Sequence, residues 1–139
     1  MKKLSFLVVI AFSLLLLTFC KKDEFSERFT LLTTPVWASD SLLANGVDAS
    51  GPGEVLEDFK GDAKFNKDKT GYFGDYTGKW WFEADETLLA IDPDADTIPF
   101  YIYCNIIELT ELSLKITTSV PDKNNITQTL PVRMTFKSK

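Results

Sequence analysis

Phe59-Lys60-Gly61-Asp62-Ala63-Lys64-Phe65-Asn66 is the stretch on which the architecture turns. Phe59, Gly61, Ala63 and Phe65 fall on one side of an extended chain, and Lys60, Asp62, Lys64 and Asn66 on the other. Successive side chains of a strand point to opposite faces, so this alternation predicts a strand with one face in a core and one in water. Asn66-Lys67-Asp68-Lys69-Thr70-Gly71 carries the residues of a hairpin turn, and Tyr72 to Tyr76 runs back as the partner strand. Gly71, Gly74 and Gly78 recur along it. Glycines inside strands mark bulges or sharp bends, as where a sheet curls into a barrel.

The same reading extends in both directions. Lys79-Trp80-Trp81-Phe82-Glu83 and Thr87-Leu88-Leu89-Ala90-Ile91 are strand-like and separated by Ala84-Asp85-Glu86. Pro99 to Glu108 is apolar on both faces and reads as a strand with little exposure. Leu112, Leu114 and Ile116 alternate with polar residues, as do Leu130, Val132, Met134 and Phe136, with a loop from Pro121 to Asn125 between. Upstream, Thr33-Thr34-Pro35-Val36-Trp37 opens a first segment. Ser41-Leu42-Leu43-Ala44 precedes the turn signal Asn45-Gly46, and Ser50-Gly51-Pro52-Gly53 is a loop. About eight short strands with turns at regular spacing, and no helical period after residue 20, predict an all-β domain over 31–139. An up-and-down antiparallel β-barrel is expected, with a sandwich as the other solution.

The first residues have another character. Met1-Lys2-Lys3 is positive, and Leu4 to Phe19 is apolar apart from Ser5, Ser13 and Thr18. Cys20 ends the run, and Lys21-Lys22-Asp23-Glu24 opens a charged stretch. The run is shorter than the about 20 apolar residues of a membrane span. Its flanks predict a cleaved signal peptide over 1–19. Cys20 stands where a lipoprotein cysteine is acylated, although Phe19 is larger than the Gly, Ala or Ser usual before it. Residues 20–30 then read as a lipidated cysteine and polar tether, and the protein as anchored by acyl chains in the cell envelope. Cys20-Lys21-Lys22-Asp23-Glu24 resembles the surface-export signal of Bacteroidota lipoproteins, which implies the outer membrane and possible surface exposure.

Composition removes several function classes. Without residues 1–19 the chain has 120 residues, 13 basic against 20 acidic, for a net charge of −7. An acidic domain of this size repels phosphate backbones, which excludes nucleic acid as an expected partner. There is no histidine, so no ordinary nucleophilic triad is available, and a catalytic cysteine would lack the His wanted to lower its pKa. Cys104 has only Cys20 as a possible mate and reads as a buried inert thiol. Asp92-Pro93-Asp94-Ala95-Asp96 begins like a calcium loop, but Thr97 and Tyr103 stand where Gly and Glu belong. Glu83, Asp85 and Glu86 near a turn read as solvated charges. No enzyme, metal or cofactor is expected. Asp40-Ser41-Leu42 and Asp96-Thr97-Ile98 match a three-residue O-glycosylation pattern of Bacteroidota.

Leu32-Thr33, Trp37, Asn45-Gly46-Val47-Asp48, the stretch Phe59–Asn66, Gly71–Trp80 and Arg133-Met134-Thr135-Phe136 together resemble the lipocalin-like lipoproteins of Bacteroidota. The resemblance spans most of 31–139 and implies a small calycin-type barrel. Its motifs mark strands and turns and carry no chemistry. It also implies barrel closure by Trp37 on the first strand and a basic residue of the last strand, for which Arg133 is the candidate. Pro35 stands in place of the Gly of the superfamily's Gly-x-Trp. The chain is shorter than a typical lipocalin, which argues for a shallow or filled interior.

Two functions of different class follow. In the first, the barrel holds a small apolar or amphipathic ligand. Its lining is drawn from the inward-facing guesses Phe59, Phe65, Phe73, Trp81, Leu89, Phe100, Leu114, Val132 and Phe136. In the second, the same residues fill the core, and loops 48–54, 92–97 and 121–126 bind a protein.

Overall fold

The computed structural model describes residues 25–96, 98–122 and 124–139; the signal segment 1–19, Cys20, residues 21–24 and Thr97 of the glycosylation pattern lie outside the described residues. Among the described residues one helix, α1 (Glu27–Thr33), precedes β1 (Trp37–Ala44) and β2 (Val47–Asp48). A 3-10 turn at Glu57–Phe59 leads into β3 (Asp62–Phe65), β4 (Thr70–Phe73), β5 (Tyr76–Glu83) and β6 (Leu88–Pro93). β7 (Ile102–Leu109), β8 (Ser113–Asp122) and β9 (Asn125–Ser138) complete the chain.

Each of β3 to β9 pairs antiparallel with its neighbour in sequence. β1 pairs with β3 on one side and with β9 on the other, from Trp37 opposite Ser138 to Ala44 opposite Val132. The eight strands β1 and β3–β9 therefore close an up-and-down barrel, with β2 added beside β1. Closure removes the sheet edges that an open sheet would expose. Curling the sheet needs strands to come very close at β4 and β5, where Gly71 lies opposite Gly78. A Cβ at Gly71 would run into the Lys64 carbonyl oxygen, and one at Gly78 into that of Asp92.

Alternation places Ala63, Phe65, Phe73, Trp80, Leu89, Ile91, Cys104, Leu114, Ile116, Val132, Met134 and Phe136 in the core. Aromatic rings fill the middle: Phe65 lies 5.1 Å from Phe73 and edge-on to Trp80 at 5.6 Å between centroids. Three expectations are corrected. The strand expected from Pro99 begins at Ile102, and it is not shielded on both faces, since Tyr103 and Ile107 are exposed. Ile107 sits at a bulge in the β7–β8 pairing, which turns it outward. Phe59 lies in the 3-10 turn, so the strand read from Phe59 starts only at Asp62.

The third correction concerns the tether. Residues 25–30 were expected to be a polar linker, and 33–37 a strand; instead α1 occupies 27–33. Ser26 caps it by accepting the Phe29 N–H at 3.0 Å, a serine role at helix starts. Phe29 and Leu32, spaced one turn apart, are buried, and Phe29 packs against Trp80 at 5.5 Å. Seven residues with two core contacts are too few to show a helical period against their charged neighbours.

The connections at 66–69, 84–87 and 110–112 gather at the end of the barrel covered by α1. Ser26 donates to the Glu86 carboxylate at 2.6 Å, and the Arg28 guanidinium to the Glu86 carbonyl at 2.8 Å. The described residues that connect β1 to β3, β4 to β5, β6 to β7 and β8 to β9 lie at the opposite end, which is the mouth.

Candidate functional site

The interior below the mouth is packed. Phe65, Phe73, Ile116, Met134 and Phe136 leave a cavity of about 20 Å³, room for little more than a water. Six of the nine expected lining residues, Phe65, Phe73, Leu89, Leu114, Val132 and Phe136, are buried core. Trp81 is corrected: Trp80 occupies the interior and is fully buried, while Trp81 lies on the outer wall with its indole N–H on Glu83 at 2.8 Å. There it meets Tyr101 edge-on at 5.3 Å, over Ala90. Either tryptophan satisfied the alternation, and only the register decides between them.

Free volume appears at the mouth. A cavity of about 400 Å³ is lined by Val55, Phe59, Ile98, Phe100, Ile102 and Val120, with Asp58, Tyr76, Pro121 and Asp122 at its polar side. Of the expected set only Phe59 and Phe100 reach it. Phe59 stands between this space and the packed interior, whereas Phe100 is exposed on the rim. Val55 and Ile98 escaped the sequence reading because they sit in loops, where no period singles them out, and Val120 because the alternation of Leu112, Leu114 and Ile116 was not followed past Thr118 to the end of β8. An apolar residue among Gly, Pro and Asp, as at Val55 and Ile98, was the available signal.

The mouth is shaped by the segment 49–61, folded over it. Ala49 and Leu56 anchor this segment in the core and are joined by the Leu56 N–H to Ala49 carbonyl bond at 2.9 Å. The β4–β5 turn holds its far side, with Asp75 N–H on the Asp58 carbonyl at 2.8 Å and Gly74 N–H on the Asp62 carbonyl at 2.9 Å. Gly74 adopts φ +61° directly beneath the Asp58 carbonyl, a place that excludes any side chain. Tyr76 donates its hydroxyl to the Asp58 carboxylate at 2.7 Å, so a phenol and a carboxylate are oriented on one side of an apolar space.

The other candidates are placed as follows. Trp37 is fully buried at the β1–β9 seam and donates its indole N–H to the Leu32 carbonyl at 3.0 Å. Arg133 is corrected as its partner. It lies opposite Leu43 and Thr117, exposed on the outer wall, five residues or about 17 Å along β9 from Ser138 beside Trp37. The cation that does cover an indole is Lys69, 4.7 Å from the Trp80 ring and 4.9 Å from Phe29. Cys104 faces inward without exposure, and burial pushes its thiol up to about 12, against a smaller opposing effect of the Thr118 hydroxyl. Among the described residues no group of Asp, Glu and Cys is gathered that would hold a metal. Asp92, Asp94 and Asp96 border an open surface hollow instead. Ser41 of the first glycosylation pattern is half-buried in β1, opposite Thr135.

No family model matches the chain, and no curated protein matches it. Among solved structures it is similar to bovine odorant-binding protein, in its complex with a selenium-containing odorant, at 14% identity and a TM-score of 0.53, over 86% of this chain and 78% of that one. Two further structures of the bovine protein, with its natural ligand and with undecanal, match at 15% identity and 0.53, over 85% of this chain and 77% of theirs. The fold is lipocalin-like. At such identity the likeness is one of backbone architecture; the barrel here has a packed interior and a cavity at its mouth.

Proposed function

We propose that this chain is a lipid-anchored binding protein of the cell envelope, related to the lipocalin-like lipoproteins of Bacteroidota, which holds a small apolar or amphipathic ligand at the barrel mouth. The mouth cavity carries this reading. Its volume of about 400 Å³ falls within the range of small-molecule sites, and such sites combine an apolar lining with a few oriented polar groups. The complexes of the bovine structural neighbour with odorants and with undecanal support a ligand of this class. The ligand sits shallowly, above Phe59 and Ile116, and not in the barrel centre.

The test is titration of N-phenyl-1-naphthylamine into the full-length protein in lipid nanodiscs, with empty nanodiscs subtracted. Saturable fluorescence enhancement, weakened at least tenfold by Ile98→Asp and by Val120→Asp, is expected. Enhancement that never saturates, or that both variants leave intact, removes the mouth as a ligand site.

The anchor rests on the sequence: the positive start, the apolar run and the cysteine at the charge step. Metabolic labelling with an alkyne-tagged fatty acid checks it, with label and membrane association both lost in Cys20→Ser. Protease added to intact cells reports whether the domain faces outward from the outer membrane.

One observation favours the protein-binding alternative. The interior is filled, and the described residues of loops 48–54, 92–97 and 121–126 lie at the mouth end. Asp92→Lys with Asp94→Lys would abolish such binding while leaving dye titration unchanged.

A further inference from the structure

The barrel wall opens toward the mouth between β7 and β8. β7 and β8 pair from Leu109 opposite Leu114 to Asn105 opposite Thr117, and there the pairing stops. β7 continues to Ile102 paired only with β6, while β8 continues to Asp122 paired only with β9. The two strands part toward the mouth. Thr118 marks the fork, donating its hydroxyl to the Tyr103 carbonyl at 2.7 Å in place of a ladder bond. Above it the wall has a slot.

The slot joins two spaces. Phe100, Ile102 and Val120 line both the mouth cavity and a groove of about 780 Å³ on the outer wall. The groove runs past Tyr103, Asn105, Thr117 and Ser119 to Arg133. Among the described residues Arg133 is the one charged residue along it, and no carboxylate lies within ion-pair distance of its guanidinium. The exposed Arg133 guanidinium thus stands among hydroxyls and an amide in a chain with 20 acidic residues against 15 basic ones. The cavity side has the opposite sign, with Asp58 and Asp122 at its border.

We infer that the ligand is an amphiphile with an anionic head, whose apolar tail occupies the mouth cavity and whose head passes out through the β7–β8 slot to Arg133. This deepens the proposed function and rests on it. The charges direct the molecule one way. An anionic head left at the mouth would face Asp58 and Asp122, whereas at the outer end of the slot it meets a guanidinium, whose planar fork suits a carboxylate or phosphate. The tail stays out of water among Val55, Phe59, Ile98 and Val120.

The experiment is photolabelling of the full-length protein in membranes, using dodecanoic acid with a diazirine near its tail end. The matching methyl ester and alkylamine are run in parallel, and the labelled peptides are mapped by mass spectrometry. The acid is expected to label the peptides around Phe59, Ile98 and Val120 at least tenfold more than the amine. Arg133→Glu and Arg133→Gln should reduce labelling by the acid at least tenfold while the ester labels as before, which also shows that the variants fold. Ser119→Trp, which fills the groove beside the slot, should reduce the acid likewise. If acid labelling at the mouth survives both Arg133 variants, or the amine labels as well as the acid, the slot assignment is wrong and the mouth reading stands. If none of the three probes labels the mouth, both fall.

Discussion

The Lys64 ammonium lies 2.7 Å from the Thr33 carbonyl oxygen, and it also donates to the carbonyls of Thr34 at 2.9 Å and Pro35 at 3.0 Å. One side chain of β3 thereby satisfies the chain end of α1, where helical carbonyls lack partners. Lys64 was read from the sequence as a solvent-facing residue of an alternating strand. It is outward-facing, yet it ties the plugging helix to the wall. Lys64→Met is expected to lower unfolding free energy by about 1–2 kcal/mol, the worth of charge-assisted hydrogen bonds in partly exposed positions. Urea denaturation followed by far-UV circular dichroism measures it, and no change in midpoint would show that the three contacts contribute nothing.

Trp80 and Trp81 are adjacent and energetically unlike. Trp80 is buried against Phe29, Phe65 and Phe82. Trp80→Ala should cost about 3–5 kcal/mol by leaving a large cavity. Trp81→Ala removes an outer-wall ring and should cost under about 1.5 kcal/mol, mostly through its contact with Tyr101. Comparable losses in the two variants would reverse the assignment of faces in β5.

Gly78→Ala tests the curvature of the sheet. The added methyl meets the Asp92 backbone carbonyl, which cannot swing away as a side chain would. The loss is expected to be about 1–3 kcal/mol, as for overpacked positions. Gly46→Ala is the control, because nothing lies near its Cβ and only the strain of φ +79° remains. A thermal melt of both variants ranks them, with Gly78→Ala the lower.

Cys104 gives a pH prediction. Its thiol is held up to about 12 by burial, against an ordinary value of 9.0. Between those values the unfolded chain loses this proton and the folded chain keeps it, so the unfolded state binds fewer protons and stability falls as pH rises. The contribution is complete below pH 9 and declines from there toward 12. Cys104→Val should flatten the stability loss between pH 9 and pH 11 relative to the wild type in denaturant titrations. The native thiol should also resist iodoacetamide at pH 8 and react once urea unfolds the chain.

The barrel was legible in the sequence wherever one face of a strand is apolar. Ala63 and Phe65, Leu114 and Ile116, and Val132, Met134 and Phe136 all alternate as read and all face the core. What escaped was decided by partners far away in the chain. The register that chooses Trp80 over Trp81 is set by Ile91 and Ala90 opposite them. Helix α1 depends on Trp80, Lys64 and Glu86, none of which is near it in sequence. The mouth cavity is built from loop residues such as Val55 and Ile98, which follow no periodicity, and from the parting of β7 and β8. The failed pairing of Trp37 with Arg133 has a simple cause: a residue's place along β9 depends on the closure register, and Ser138 takes the position beside Trp37.

The attachment of Ser26 and Arg28 to Glu86 fixes where the chain enters the barrel: at the plugged end, opposite the cavity. Cys20 and Phe25 are five residues apart, a reach of at most about 18 Å. The ten residues of β8 that separate plug from mouth run roughly 33 Å. A molecule standing upright on an acylated Cys20 would therefore present its opening away from its own bilayer. Traffic through it would have a direction, with cargo handed to or taken from whatever occupies the facing compartment, and the lipid beneath serving only as a mooring.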